Sequence, residues 1–159
     1  MILVLLGTQD KEFRRLLEAV QKEINNKTIT DKVIVQAGCT KFESKDMEIF
    51  DLIPTDKFEN FIDKADIIIS HGGVGSIITA LKKGKKVIAT PRLKQHKEHV
   101  NDHQVQIIEK MHKEGYIKGL FNLTKLAEIL EEIKNFIPKQ FESNTDNIIS
   151  VIEEYIEAL

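Results

Sequence analysis

Two stretches of this sequence hold residues suited to chemistry. The first is Ser70-His71-Gly72-Gly73-Val74-Gly75-Ser76, between an apolar run and a helical pattern. Its glycines let backbone come close to a ligand. The helix that follows offers unpaired N–H groups and a positive dipole end, which in physical terms make a diphosphate site. The same glycines also suit a tight strand-to-helix turn that binds nothing. Two sharper motifs are excluded. The turn lacks the Gly-Lys-Ser/Thr ending of an ATPase phosphate loop. It also follows the fourth strand, with no acidic residue ending the next, so it is no dinucleotide fingerprint.

The second stretch runs from Pro91-Arg92 to Asp102-His103-Gln104 and includes Lys94, His96, Glu98, His99 and Asn101. With a helix expected from about Glu98, His99 and His103 lie one turn apart on one face with Asp102 beside them. Such a face binds zinc, stays a solvated polar surface, or contacts a sugar or an acceptor. The order is not His-Glu-x-x-His and no cysteine joins it, so no metal site is assigned.

The elements that must position these residues alternate between strand and helix. Met1–Leu6 is a continuous apolar run ending at Gly7-Thr8, the pattern of a strand buried on both faces. A helix is expected over about 10–24, with Phe13, Leu16, Leu17, Val20 and Ile24 on one face. Strands follow at 32–36, ending at Gln36-Ala37-Gly38, and within 47–53, before Pro54. Thr55 or Asp56 caps a helix to about Lys64, and Asp66–Ser70 is a fourth strand. The helix after the glycine turn runs to Lys83 and closes on Gly84. Lys86–Thr90 is a fifth strand, and helices are expected at about 98–113, 124–136 and 143–158. This alternation predicts a doubly wound, Rossmann-like α/β domain with a parallel sheet. In that architecture ligands sit beyond the carboxyl ends of the strands, which gathers Gly7-Thr8-Gln9, Gln36-Ala37-Gly38, Ser70–Ser76 and Thr90-Pro91-Arg92. The C-terminal helices, 124–159, either cover the sheet or dock a partner.

The 159 residues fit one domain, and 42% hydrophobic with 30% charged residues is the balance of a folded globular chain. A net charge of −2 gives no general attraction to nucleic acid or anionic lipid. The single Cys39 forms no internal disulfide, and the N-terminus has no signal-peptide pattern, so a cytoplasmic setting is expected. No apolar run approaches the roughly 18–20 residues that cross a bilayer.

The stretch Ile68-Ile-Ser-His71-Gly-Gly-Val-Gly-Ser-Ile-Ile-Thr-Ala-Leu-Lys-Lys-Gly84-Lys-Lys-Val-Ile-Ala-Thr-Pro91-Arg92, with Glu98-His99-Val-Asn-Asp102-His103-Gln104, resembles the C-terminal domain of family 28 glycosyltransferases. Within that family it is most similar to small single-domain subunits of polysaccharide synthesis and of a two-part dolichol-linked N-acetylglucosaminyltransferase. Leu5-Leu6-Gly7-Thr8 and Val35-Gln36-Ala37-Gly38 extend the likeness over about residues 1–120.

The resemblance implies the donor-binding lobe of a GT-B enzyme that moves a sugar, with inversion, from a UDP-sugar to a lipid-linked or polysaccharide acceptor. The acceptor lobe would be a separate membrane-anchored subunit, so association with the membrane would run through that partner. By motif position, Gly72, Gly73, Gly75 and Ser76 with the next helix hold the diphosphate. Asp102, His103 and Gln104 approach the sugar, and Gly7 and Thr8 form the opposite wall. Gln36, Gly38, Ser70 and Arg92 complete the expected donor-binding set. Thr79 stands where several relatives carry a ribose-binding glutamate. No cofactor or metal is expected, because the helix dipole and backbone donors stabilise the departing diphosphate. His71 is the one candidate base from this chain, with the base otherwise expected from the partner. The alternatives are a noncatalytic nucleotide-sugar-binding regulatory module and an epimerase-like enzyme.

Overall fold

In the computed structural model the described residues are 1–142. The C-terminal helix expected over 143–158, proposed from its sequence as a docking element, lies outside them.

Strand β1 (Ile2–Leu5) leads to helix α1 (Arg14–Asn25), β2 (Val33–Gln36) and β3 (Met47–Phe50). Then come α2 (Thr55–Lys64), β4 (Ile67–His71), α3 (Val74–Lys82) and β5 (Lys86–Thr90). The described chain continues with α4 (His103–Lys113), β6 (Lys118–Gly119) and α5 (Leu126–Lys134). Among the described residues these strands form one sheet in the order β3-β2-β1-β4-β5-β6, with every neighbouring pair parallel. The expected doubly wound, Rossmann-like fold is present.

Side-chain alternation divides the core into two layers. Leu3, Leu5, Ile34, Ile68 and Val87 pack with Ile62, Ile77, Leu81, Ile108 and Met111 on the face covered by α2, α3 and α4. Ile2, Val4, Val33, Val35, Ile69 and Ile88 pack with Leu16, Leu17, Val20, Leu130 and Ile133 on the face covered by α1 and α5. Central strands need apolar side chains at successive positions for this reason, and Ile2–Leu5 are all buried.

Several boundaries differ from the sequence expectation. Helix α4 starts at His103 and not near Glu98, because the intervening loop has its own hydrogen bonds. Lys94–His96 is a 3-10 turn, Lys97 is left-handed with φ 58°, and Asn101 Oδ1 accepts the His103 N–H at 3.0 Å. His99 and His103 therefore do not share a helical face. Helix α1 begins at Arg14, where the preceding Phe13 N–H is held by Thr40 Oγ1 at 2.9 Å. Strand β3 stops at Phe50, and Pro54 occupies the cap position of α2. The helix expected from 124 opens with a 3-10 turn, Leu123–Lys125. The two-residue β6 had no signal in the pattern of apolar residues.

Candidate functional site

The chain leaves β1 for β2 on one side and returns through β4 on the other, so the strand order reverses between β1 and β4. The crossover helices diverge at that point and leave a crevice at the carboxyl ends, where ligands bind in open α/β sheets. The loops there are Leu6-Gly7, Gly38, His71-Gly72-Gly73 and the segment after β5.

Glycines shape this edge by letting side chains lie where a Cβ would sit. Gly7 has φ 78°, and a Cβ on it would come 2.6 Å from His71 Nε2. A Cβ on Gly73 would overlap the same ring at Cε1. Gly38, with φ 59°, would bring its Cβ 2.6 Å from the Gly7 carbonyl oxygen, and a Cβ on Gly72 would meet Gln104 Cβ at 2.7 Å. The imidazole of His71 is thus framed by Gly7 and Gly73, and the amide of Gln104 lies against Gly72.

His71 is 5% exposed, and its Nδ1 accepts the Gly73 N–H at 3.1 Å. Burial first, then the charges of Arg92 and His99, push it down to about 3. With Nδ1 engaged, the neutral ring carries its proton on Nε2 and acts as a donor. This favours a donor role for His71 over that of the base considered from the sequence. His99, 7% exposed, repeats the device: Nδ1 accepts the Asn101 N–H at 3.3 Å, and burial with Arg92 lowers its pKa.

Four side-chain atoms at this edge are buried without a protein partner: Ser70 Oγ, Arg92 Nε, His103 Nδ1 and Gln104 Nε2. Gln104 is fully buried, and its Oε1 accepts the Arg92 N–H at 2.9 Å, which leaves the amide N–H donors uncommitted. Buried polar atoms of this kind are normally satisfied; Arg92 Nε belongs to a guanidinium spent on backbone, so Ser70 Oγ, His103 Nδ1 and Gln104 Nε2 are the atoms at the switch point left for a polar ligand. Among the described residues no group of three or more His, Cys, Asp or Glu could hold a metal ion.

Other expected site residues have local duties. Gln36 Oε1 accepts the Ile53 N–H at 2.9 Å and ties down the chain after β3. Asp102 Oδ1 accepts the Lys94 N–H at 2.9 Å, and Thr79 Oγ1 donates to the Gly75 carbonyl at 2.9 Å. Thr8 and Gly75 are exposed, and Ser76 is half-buried in the first turn of α3. Arg92 departs most from its assignment. It is 1% exposed, and its guanidinium donates to the carbonyls of Lys11 at 2.8 Å, Glu98 at 3.3 Å and Leu6. That fork is committed to backbone and does not open to a ligand.

The family model of the glycosyltransferase family 28 C-terminal domain matches residues 1–159. The chain belongs to this family.

Among relatives, the UDP-N-acetylglucosamine transferase subunit ALG13 of Debaryomyces hansenii is 28% identical over 129 residues, 79% of this chain and 57% of that protein. The protein of the same name from Cryptococcus neoformans is 26% identical over 110 residues, 66% of this chain and 51% of its own length. The human one is 37% identical over 62 residues, 39% of this chain and 5% of its length. The chain thus spans about half the length of these fungal relatives. An NMR structure of ALG13 shares the fold, with a TM-score of 0.59 at 19% identity, over 95% of this chain and 93% of that one. So does the glycosyltransferase SnogD from Streptomyces nogalater, with a TM-score of 0.59 at 17% identity, over 98% of this chain and 39% of that one.

The sequence placed Glu98 and His99 in the right stretch but gave no sign that Glu98 pairs with Arg15. His99 was read as sharing a helical face with His103 for zinc, solvent, or sugar or acceptor contact, and the structure instead turns its Nδ1 onto the Asn101 N–H. The Arg15–Glu98 pair left no sequence signal, because its members are 83 residues apart.

Proposed function

We propose that this chain is the donor-binding catalytic subunit of an inverting glycosyltransferase that takes N-acetylglucosamine from its UDP conjugate. The observation that carries this is the set of uncommitted buried donors beside the glycine turn, at the β1/β4 switch of a family 28 domain. The relatives are UDP-N-acetylglucosamine transferase subunits, which supports both the sugar and the subunit reading.

The backbone of Gly72–Ser76, the N-terminus of α3 and the Nε2–H of His71 bind the diphosphate, and His103 and Gln104 meet the sugar. An acceptor hydroxyl attacks the anomeric carbon, its C–O bond forms as the bond to UDP breaks, and UDP leaves with the electron pair. Fixed donors stabilise that charge without a metal ion. The hydroxyl proton goes to a base on a membrane-anchored subunit that also holds a lipid-linked acceptor, since the Nδ1 atoms of His71 and His99 are both engaged. Among the described residues no helix is long and apolar enough to cross a membrane, which supports a peripheral place reached through that partner.

Saturation-transfer NMR of the full chain against a panel of UDP-sugars, with chelator present, tests the reading. Transfer to the uridine and N-acetylglucosamine protons is expected. Binding of none of the panel, or only after metal is added, would overturn it.

A further inference from the structure

Glu98 is 3% exposed and is not among the candidate sugar contacts. Its carboxylate accepts from Arg15 Nε and from Arg15 Nη2 at 3.0 Å, a bidentate fork, and from the Leu93 N–H at 3.3 Å. Its carbonyl is held from the other side by Arg92, whose fork also takes the carbonyls of Leu6 and Lys11. Both guanidinium groups lie over the ring of Phe13, with their central carbons 5.6 Å and 5.1 Å from its centroid.

A buried ion pair contributes little to net stability, because desolvation offsets the attraction, so its clearest effect is geometric. Here that effect has a direction. The Leu93 N–H is fixed by Glu98, the next N–H, of Lys94, is fixed by Asp102, and the N–H of Arg92 is fixed by Gln104. Arg92 ties the same loop to Leu6, the residue before Gly7. Leu6 and Lys11 hold it against the β1 side, and Arg15 anchors it to the first turn of α1.

We propose that Arg15, Glu98 and Arg92 form a positioning unit that sets the loop 92–104, and with it the preference for UDP-sugar over UDP, without touching the ligand. The proposal rests on the donor-site reading above. Arginine suits both positions because its planar fork fixes direction as well as charge, which lysine does not.

The test uses the full chain and the variants Glu98→Gln and Arg15→Lys. Glutamine keeps the size of Glu98 and an acceptor for Leu93, and position 15 is 29% exposed, so both proteins should fold. Two quantities are measured: amide hydrogen exchange at Leu93 and Lys94 without ligand, and calorimetric affinities for UDP and UDP-N-acetylglucosamine. In both variants exchange should quicken about tenfold, UDP affinity should stay within about twofold, and preference for the UDP-sugar should fall about tenfold through misplacement of His103 and Gln104. Unchanged exchange would overturn the positioning unit, and so would quickened exchange with both affinities falling equally or not at all. A wild-type chain that binds neither ligand would overturn the donor-site reading itself, and the sugar preference with it.

Discussion

His71 Nδ1 accepts the Gly73 N–H, so the ring framed by Gly7 and Gly73 keeps one free nitrogen, and that nitrogen bears the proton. The unfolded chain protonates this histidine near its ordinary value of 6.5, whereas the folded chain resists until about 3. His71 therefore has no effect on stability above the unfolded value. It removes stability as pH falls between the two, by up to about 1.4 kcal/mol per pH unit. His71→Asn, which keeps an acceptor for Gly73, should lose less stability than the wild type from about pH 7 to about pH 4. Urea midpoints across that range check this, and parallel curves would contradict it.

The glycines should separate into two classes. Gly73→Val would drive a side chain into the His71 ring and block backbone approach, so UDP binding should vanish in calorimetry. Gly75 has nothing within 4 Å of its would-be Cβ and sits inside α3. Gly75→Ala should raise stability by about 0.5–1 kcal/mol, seen as a higher Tm, while weakening UDP binding at the helix N-terminus. Unchanged UDP affinity in Gly73→Val would exclude this turn as the diphosphate site.

His103→Ala and Gln104→Ala should lower transfer, measured with the acceptor-binding partner present, far more than they lower UDP affinity. Loss of one sugar hydrogen bond costs on the order of 1 kcal/mol, and Gln104→Ala adds about 1–3 kcal/mol to folding by orphaning the buried Arg92 N–H. Equal losses of UDP affinity and turnover would remove both residues from the sugar side.

The apolar runs Ile2–Leu5, Ile67–Ile69 and Val87–Ala89 made β1, β4 and β5 legible, because a strand buried on both faces confines polar residues to its ends. The glycine turn was legible for the same kind of reason, since few structures need Gly72 and Gly73 together after a buried strand. The loop 92–102 was not. Its polar residues matched a helix by spacing, and the hydrogen bonds of Asn101, Asp102 and Glu98 that stop the helix involve contacts that spacing does not encode. Arg92 was misjudged likewise: a cation beside a phosphate turn suggests a ligand, and only coordinates reveal the three carbonyls it serves.

Strand β1 lies in the middle of the sheet but leaves the ribosome before both its neighbours. Ile2–Leu5 find Val33–Gln36 on one side, while the other side waits for Ile67–Ser70. At about 5–20 residues per second, the stretch from residue 37 to 67 takes roughly one and a half to six seconds. Through it, a row of unpaired N–H and C=O groups on an apolar strand stands open to other nascent chains. Aggregation during expression should therefore track codon speed between residues 37 and 67 and the supply of chaperones. It should respond little to substitutions that only strengthen the finished domain.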